Sequence, residues 1–411
     1  MSTDPLKQNP MESLFITRHY LDQMLGGPNC SKAFVKAAAS LFPTMALVYP
    51  EHEDHCTALD FLDDCPKVTL LAVNDGRPKW RKCTDMYLGR LHRFAYEIPK
   101  LLRGHHFDVV FIDHSVTASS GILESALESG AKVVTFHHNV ESQYIRDNQQ
   151  NLLFRYPYNH YALKAERDAV MKSTLNLVLT EDDRRTFIRM YPERAETFRT
   201  IGVFEYDISS EQRLSQTEDH TFVISGSLSA KQTETAILDF LDEYTGILNE
   251  VCPDAKLVIT GRNPSKRIYQ SASRYDNVRI VPNPEDLVGE VVKGCYYLCP
   301  IFTGGGLKLR CMDALRVGLP VLAHRNALRG YESIQQDGYM YAYSSKEDFA
   351  EGLHRLLRLH HCHADVAQSF RSHFSFGAGL ERLKRILEDA HCYGVTEGLD
   401  ATPNGSANGP F

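Results

Sequence analysis

The chain has 411 residues, 43% of them hydrophobic and 24% charged, and a formal net charge of −7. That length suits two or three domains with cores of their own, and the balance is that of an ordinary soluble globular protein. The negative charge excludes a general nucleic-acid binder, whose footprint would be basic, and no apolar run approaches the roughly 18–20 residues needed to cross a bilayer. No secretory hydrophobic region follows the polar start Met1–Pro10, and the ten cysteines are scattered without a regular framework. Reduced thiols in the cytoplasm are therefore expected.

Short β-branched runs alternate with helical patterns almost from end to end, which predicts an α/β protein with parallel sheets. In the first half the strand-like runs are Ser13–Thr17, Thr44–Tyr49, Val68–Ala72, Asp108–Ile112, Lys132–Phe136, Asn176–Leu179 and Arg199–Val203. Helical patterns fall between them, at Ser31–Leu41, Asp85–Leu102 and Tyr158–Lys172. Residues 205–220 are polar and aperiodic, as a linker would be. The second half restarts at Thr221–Ser225, with a helix from about Thr233 to Val251. Further strands are expected at Lys256–Thr260, Val278–Val281, Tyr296–Pro300, Val321–Ala323 and Tyr339–Tyr343. The last helical pattern, Gly379–Tyr393, places Leu380, Leu383, Ile386, Leu387 and Ala390 on one face. Residues 394–411 have the composition of a disordered tail.

Chemistry concentrates at Tyr296–His324, where a buried strand runs into Gly304-Gly305-Gly306 and then a helix. A backbone without Cβ atoms allows close approach of a ligand, and the free N–H groups of a helix start suit a phosphate. Lys308 and Arg310, read as lying in the first helical turn, add positive charge. Asp313, read as two to three turns further on, is a candidate acceptor for sugar hydroxyls. The same residues would also serve as a plain strand-to-helix connection.

The segment resembles the donor-binding signature of nucleotide-sugar glycosyltransferases with two Rossmann-like domains, the GT-B fold, in particular the retaining family 4. The matching residues are Pro300, Gly304–Gly306, Lys308, Arg310, Asp313-Ala314 and Gly318-Leu319-Pro320-Val321. Other matches follow the family's order. They are Gly26-Gly27, then His137-His138-Asn139-Val140-Glu141, Tyr161 and Glu166, then Ser225-Gly226-Ser227-Leu228 and Ile259-Thr260-Gly261-Arg262. The resemblance implies two Rossmann-like domains facing across a cleft: an acceptor-side domain, residues 1–204, and a nucleotide-sugar domain, residues 221–378. It also implies a terminal helix, residues 379–393, that crosses back to the first domain.

By the same resemblance, backbone N–H groups of Gly304–Leu307 cradle the donor diphosphate. Lys308 and Arg310 neutralise the leaving nucleotide, Asp313 binds ribose, and His138 acts at the reacting sugar. Gly26, Gly27, His137, Gly226, Ser227 and Arg262 are the other implied substrate contacts. Two positions depart from the pattern. Gly305 stands at the first place of the family's Glu-x7-Glu, with Asp313 at the second, and Ser227 stands where an Arg is common. The loop thus points to a nucleotide sugar without naming the sugar. Lys231 is a candidate replacement for the phosphate-binding Lys.

The residues also leave bland alternatives open. Gly26-Gly27-Pro28 is equally a turn before a helix capped by Asn29 or Ser31. Asp113 and His114 close the preceding strand as His137 and His138 close theirs, and one of the latter two is expected to be structural. Glu141 and Glu166 suit surface or helix-pairing carboxylates. Glu51–Cys56 and His360–His363 contain metal-ligand types without the spacing of a structural zinc site. Arg77–His106 carries eight Lys/Arg against Asp85 and Glu97, with the sole Trp80 among them. That stretch reads either as a solvated helix face or as a contact for an anionic membrane or lipid-pyrophosphate acceptor. The expectation is a cytoplasmic, metal-independent retaining glycosyltransferase without a cofactor, moving a sugar from a nucleotide-diphosphate sugar to a glycan or lipid-linked acceptor in cell-surface polysaccharide or glycoconjugate synthesis. The alternatives are a catalytically silent partner subunit and a sugar-nucleotide epimerase.

Overall fold

The computed structural model describes residues 11–22, 26–51, 59–65, 67–147, 152–206, 214–215, 217, 219–303 and 307–393. Gly304, Gly305 and Gly306, the residues His52–Cys56, part of the linker and the tail beyond Tyr393 lie outside the described residues.

Seven strands build the first sheet: β1 Glu12–Thr17, β2 Thr44–Glu51, β3 Lys67–Asn74, β4 Val109–Asp113, β5 Lys132–His137, β6 Leu175–Val178 and β7 Phe198–Thr200. Their order is β3-β2-β1-β4-β5-β6-β7, every pairing parallel. Six strands build the second: β8 Thr221–Ser227, β9 Lys256–Arg262, β10 Val278–Pro282, β11 Tyr296–Cys299, β12 Val321–His324 and β13 Met340–Tyr343. Here the order is β10-β9-β8-β11-β12-β13, again all parallel. Helices cover both faces of each sheet, so β4 and β11 are buried at every residue and read as unbroken apolar runs. This is the two-domain Rossmann-like architecture of the GT-B fold.

Several helices differ from the sequence expectation. The pattern Asp85–Leu102 is two helices, Lys79–Tyr87 and Phe94–Gly104, parted near Gly89. There φ is +73° and the Tyr161 ring occupies the place of a side chain, a Cβ falling 2.7 Å from it. Tyr161 also donates to the Tyr87 carbonyl at 3.0 Å. The helix expected from Ser31 begins at Gly26 and runs to Leu41, so the two glycines form its first turn rather than a loop before it. The long helix near Thr233–Val251 is also two, Lys231–Glu243 and Thr245–Val251.

The terminal helix Phe376–Asp389 is capped by Ser375, whose side chain accepts from the Ala378 N–H. It packs on helix Gly26–Leu41 of the first half, burying Leu383 and Leu387. Arg382 donates from Nε to the Ile201 carbonyl at 2.5 Å. Phe204 meets Phe34 edge-on at 5.5 Å and Phe376 of the terminal helix at 6.5 Å, and one apolar core is continuous between the halves. Among the described residues no helix is long and apolar enough to cross a membrane.

Candidate active site

In open parallel sheets ligands collect outside the strand carboxyl ends where the strand order reverses. In the first sheet that point lies between β1 and β4, whose last residues are Thr17 and Asp113. Asp113 is fully buried and has short partners on both oxygens. Thr17 and Ser31 hydroxyls each donate to Oδ2 at 2.6 Å, and His138 Nε2 donates to Oδ1 at 2.6 Å. Because Ser31 spends its proton on Asp113, His19 Nδ1–H donates to Ser31 Oγ, at 2.7 Å. His19 Nε2 and His138 Nδ1 lie outside these bonds. Burial pushes the Asp113 carboxyl up, but His138 and His19 outweigh it and hold the group well below the usual carboxylate range. Burial keeps His19 below its ordinary value despite the same carboxylate. The result is a buried anion that orients two imidazoles at the cleft.

A third imidazole completes the wall. The His114 and His138 rings stack at 5.5 Å, and the His19 and His138 rings meet edge-on at 5.1 Å. His114 has φ +71°, unusual outside glycine, and its Nδ1 accepts from the Val116 N–H at 3.3 Å. Its Nε2 lies 3.3 Å from Glu141 Oε1. Glu166 Oε2 accepts from the Glu141 N–H at 2.6 Å. Burial pushes Glu141 up to about 7 and Glu166 up to about 8, so these are interior carboxyls, not surface ones. His137 faces the other way: its Nε2 pairs with Asn176 at 2.9 Å and its ring lies 4.8 Å from Phe187. Burial takes it down to about 4.

The second sheet reverses between β8 and β11, and there Arg310 spans the gap. It donates to the Ser225 carbonyl at 3.0 Å and to Thr233 Oγ1 at 3.1 Å. No carboxylate among the described residues forms an ion pair with it, so its charge remains for an anion. Gly226 and Gly261 pair in register, with φ +143° and +146°, and a Cβ on Gly261 would lie 1.8 Å from the Gly226 carbonyl oxygen. Ser227 and Arg262 pair next to them and are exposed.

The helix after the glycine segment runs Arg310–Arg316. Lys308 therefore precedes the helix, and Asp313 lies in its first turn rather than two or three turns along. Burial lowers the Lys308 ammonium. Asp313 accepts from Arg316 at 3.2 Å, and Arg316 in turn reaches Glu205 at 2.6 Å. Leu307 packs on Gly330. Gly26 faces Leu309 across the cleft, 3.5 Å from an added Cβ to Leu309 Cδ1. Gly26 and Leu309, 283 residues apart in the chain (309 − 26), are thus neighbours.

Two family models match the chain: "Glycosyl transferases group 1" over residues 219–359 and "Glycosyltransferase Family 4" over residues 60–202. Between them they span more than half of it, one on each sheet. The chain belongs to these glycosyltransferases. The fold of this glycosyltransferase is similar to that of HepE of Anabaena, solved with UDP and glucose. The TM-score is 0.62 at 11% identity, covering 92% of this chain and 100% of that one. It is also similar to the lipopolysaccharide outer core galactosyltransferase WaaB, at TM-score 0.63 and 10% identity over 92% and 99% of the two chains. A UDP-N-acetylglucosamine 2-epimerase of Listeria monocytogenes, so described provisionally, shares the fold at TM-score 0.53 and 12% identity over 93% and 97%. No curated protein matches the chain.

Sequence reasoning missed His19 and Ser31 as partners of Asp113. The available signal was position: Thr17-Arg18-His19 leaves the carboxyl end of a central strand, as Asp113-His114 does. His19, Asp113 and His138 bring ligand atoms within 4.8 Å of one another. Asp113 is fully buried and its Oδ2 is filled by the Thr17 and Ser31 hydroxyls, so the trio reads as a closed hydrogen-bonded network.

Proposed function

We propose that this glycosyltransferase moves a sugar, with retention, from a nucleotide-diphosphate sugar to the hydroxyl of a glycan or lipid-linked acceptor, without metal or cofactor. The observation that carries the reading is Arg310, held at the switch point of the second sheet by the Ser225 carbonyl and the Thr233 hydroxyl, with no carboxylate paired to it among the described residues. HepE, with its bound UDP, supports a uridine diphosphate donor. The bond from the anomeric carbon to the diphosphate breaks, and the acceptor oxygen bonds to the same face. The acceptor proton passes to the leaving phosphate, so the protein supplies positioning and charge stabilisation. Lys308 and Arg310 offset the developing negative charge, Asp313 takes the ribose hydroxyls, and His138 orients the sugar. Lys308→Ala and Asp313→Ala test this directly: both should weaken UDP-sugar binding and transfer. Full activity and donor affinity in both would remove the loop from the site. Product analysis separates a transferase from a silent subunit, which consumes no donor, and from an epimerase, which isomerises it.

The acceptor side of this reading draws on the first domain. A cavity of about 310 Å³ is lined by Arg90, Ser119, Ser120, Tyr161 and Lys164 among others. Nearby, Trp80 and Tyr87, 69% and 64% exposed, lie on helix Lys79–Tyr87 with the exposed Lys79, Arg81 and Lys82, and Leu88, 59% exposed, follows its end. Aromatic and basic side chains together favour an anionic membrane surface. Arg77 is not part of that face, since Asp75 and Asp85 hold it at 2.6 and 2.8 Å. Co-sedimentation with anionic liposomes should be lost in Trp80→Ser with Lys79→Glu. No binding by the intact chain at low salt would remove the membrane contact.

A further inference from the structure

At the end of the second sheet away from the cleft, the strand amino ends gather soft donors. His220 stands immediately before β8, and Cys252 and Asp254 lie in the turn before β9. His220 Nδ1 is 2.8 Å from Asp254 Oδ2, and Cys252 Sγ donates to Asp254 Oδ1 at 3.3 Å. The three ligand atoms lie within 4.8 Å of one another. More of the same chemistry backs them: the His360 ring meets His220 edge-on at 5.0 Å, and Cys295 Sγ is 3.3 Å from His360 Nδ1.

We propose that His220 Nδ1, Cys252 Sγ and the Asp254 carboxylate form a binding site for a divalent transition metal, zinc foremost. Imidazole, thiolate and carboxylate are the ligand types zinc takes, whereas calcium and magnesium demand oxygen shells. Around a tetrahedral zinc ion neighbouring ligand atoms stand about 3.3–3.6 Å apart. The Asp254 Oδ1–Cys252 Sγ distance falls in that range, and the His220 Nδ1–Asp254 Oδ2 distance has to open by roughly half an ångström. An ion can enter from solvent, because the Asp254 side chain is 71% exposed and that of His220 33%. Binding displaces the Cys252 thiol proton to solvent and leaves a fourth position for water. The ion ties the start of β8 to the start of β9, so it stabilises the second domain without touching the donor cleft.

The test uses the full chain, reduced and stripped with a chelator, titrated with Co²⁺ and then Zn²⁺. One equivalent of cobalt should give a thiolate-to-metal charge-transfer band that zinc removes, and zinc but not magnesium should raise the Tm. Cys252→Ser should abolish the band. Asp254→Asn, at a side chain 71% exposed, should leave the chain folded and weaken zinc by about tenfold or more. Cys295→Ser should leave the band in place, and UDP-glucose binding should be unchanged in all three. The proposal is overturned if wild type shows no band, if the band survives Cys252→Ser, or if Cys295→Ser removes it instead.

Discussion

The guanidinium of Arg310 occupies the space in front of Gly226. A Cβ added to Gly226 would fall 2.7 Å from Arg310 Nη1 and 2.8 Å from Cζ. The glycine is thus what lets a cation from one crossover lie flat on the end of β8, where its neutral partners hold it without cancelling its charge. Gly226→Ala forces a methyl group into that contact at a φ of +143°. It should weaken UDP-sugar binding by about tenfold or more, equivalent to about 1.4 kcal/mol. Isothermal titration would show it; an unchanged Kd would mean that Arg310 makes no donor contact.

Adjacent histidines should separate cleanly by phenotype. Asp113→Asn keeps shape but removes the anion that orients His19 and His138, and should lower kcat by about 10²-fold, the cost of a misplaced group. His138→Ala should do the same. His137→Ala instead leaves buried Asn176 short of a partner and opens a hole beside Phe187, costing roughly 2–4 kcal/mol of stability. Activity of the surviving folded fraction should hold. Paired thermal melts and initial rates distinguish the two outcomes.

Glu166 should make the first domain lose stability as pH rises. Its folded value is about 8, against 4.5 for an ordinary Glu, because burial favours the neutral form. A raised carboxyl contributes stability that is complete below the unfolded value and is lost as pH rises through the folded one. Glu166→Gln cannot ionise and still accepts from the Glu141 N–H. Its Tm should gain on wild type by several degrees between about pH 5 and 8.5, since the shift is worth up to about 4 kcal/mol over that range. A constant difference across that range would count against the assignment.

Gly379 faces Phe204 so closely that a Cβ would lie 2.0 Å from the ring. Gly379→Ala should therefore cost about 1–3 kcal/mol by overpacking, although the change favours a helix locally. Adding Phe204→Leu should return part of the loss, a coupling that a double-mutant cycle would measure. Strict additivity would show that the terminal helix does not rest on Phe204.

Much of this architecture is legible along the chain. Parallel strands buried on both faces need unbroken apolar runs, as β4 and β11 show, and all thirteen strands overlap the strand-like runs read from the sequence. Polar breaks between the runs are local as well, so the division into two sheets is readable. The lengths of helices are not: the helix before Gly89 stops where Tyr161 lies over that glycine. Likewise Asp113 shows as the end of a strand, yet its partners Thr17 and Ser31 are 96 and 82 residues away. The sequence by itself determined the strands, the two halves and the basic segment at Lys308–Arg310, since those depend on near neighbours. Only the tertiary structure decided which imidazole faces the cleft and which carboxyls lie inside, because parallel crossovers bring distant residues together at strand ends and burial then sets their charge.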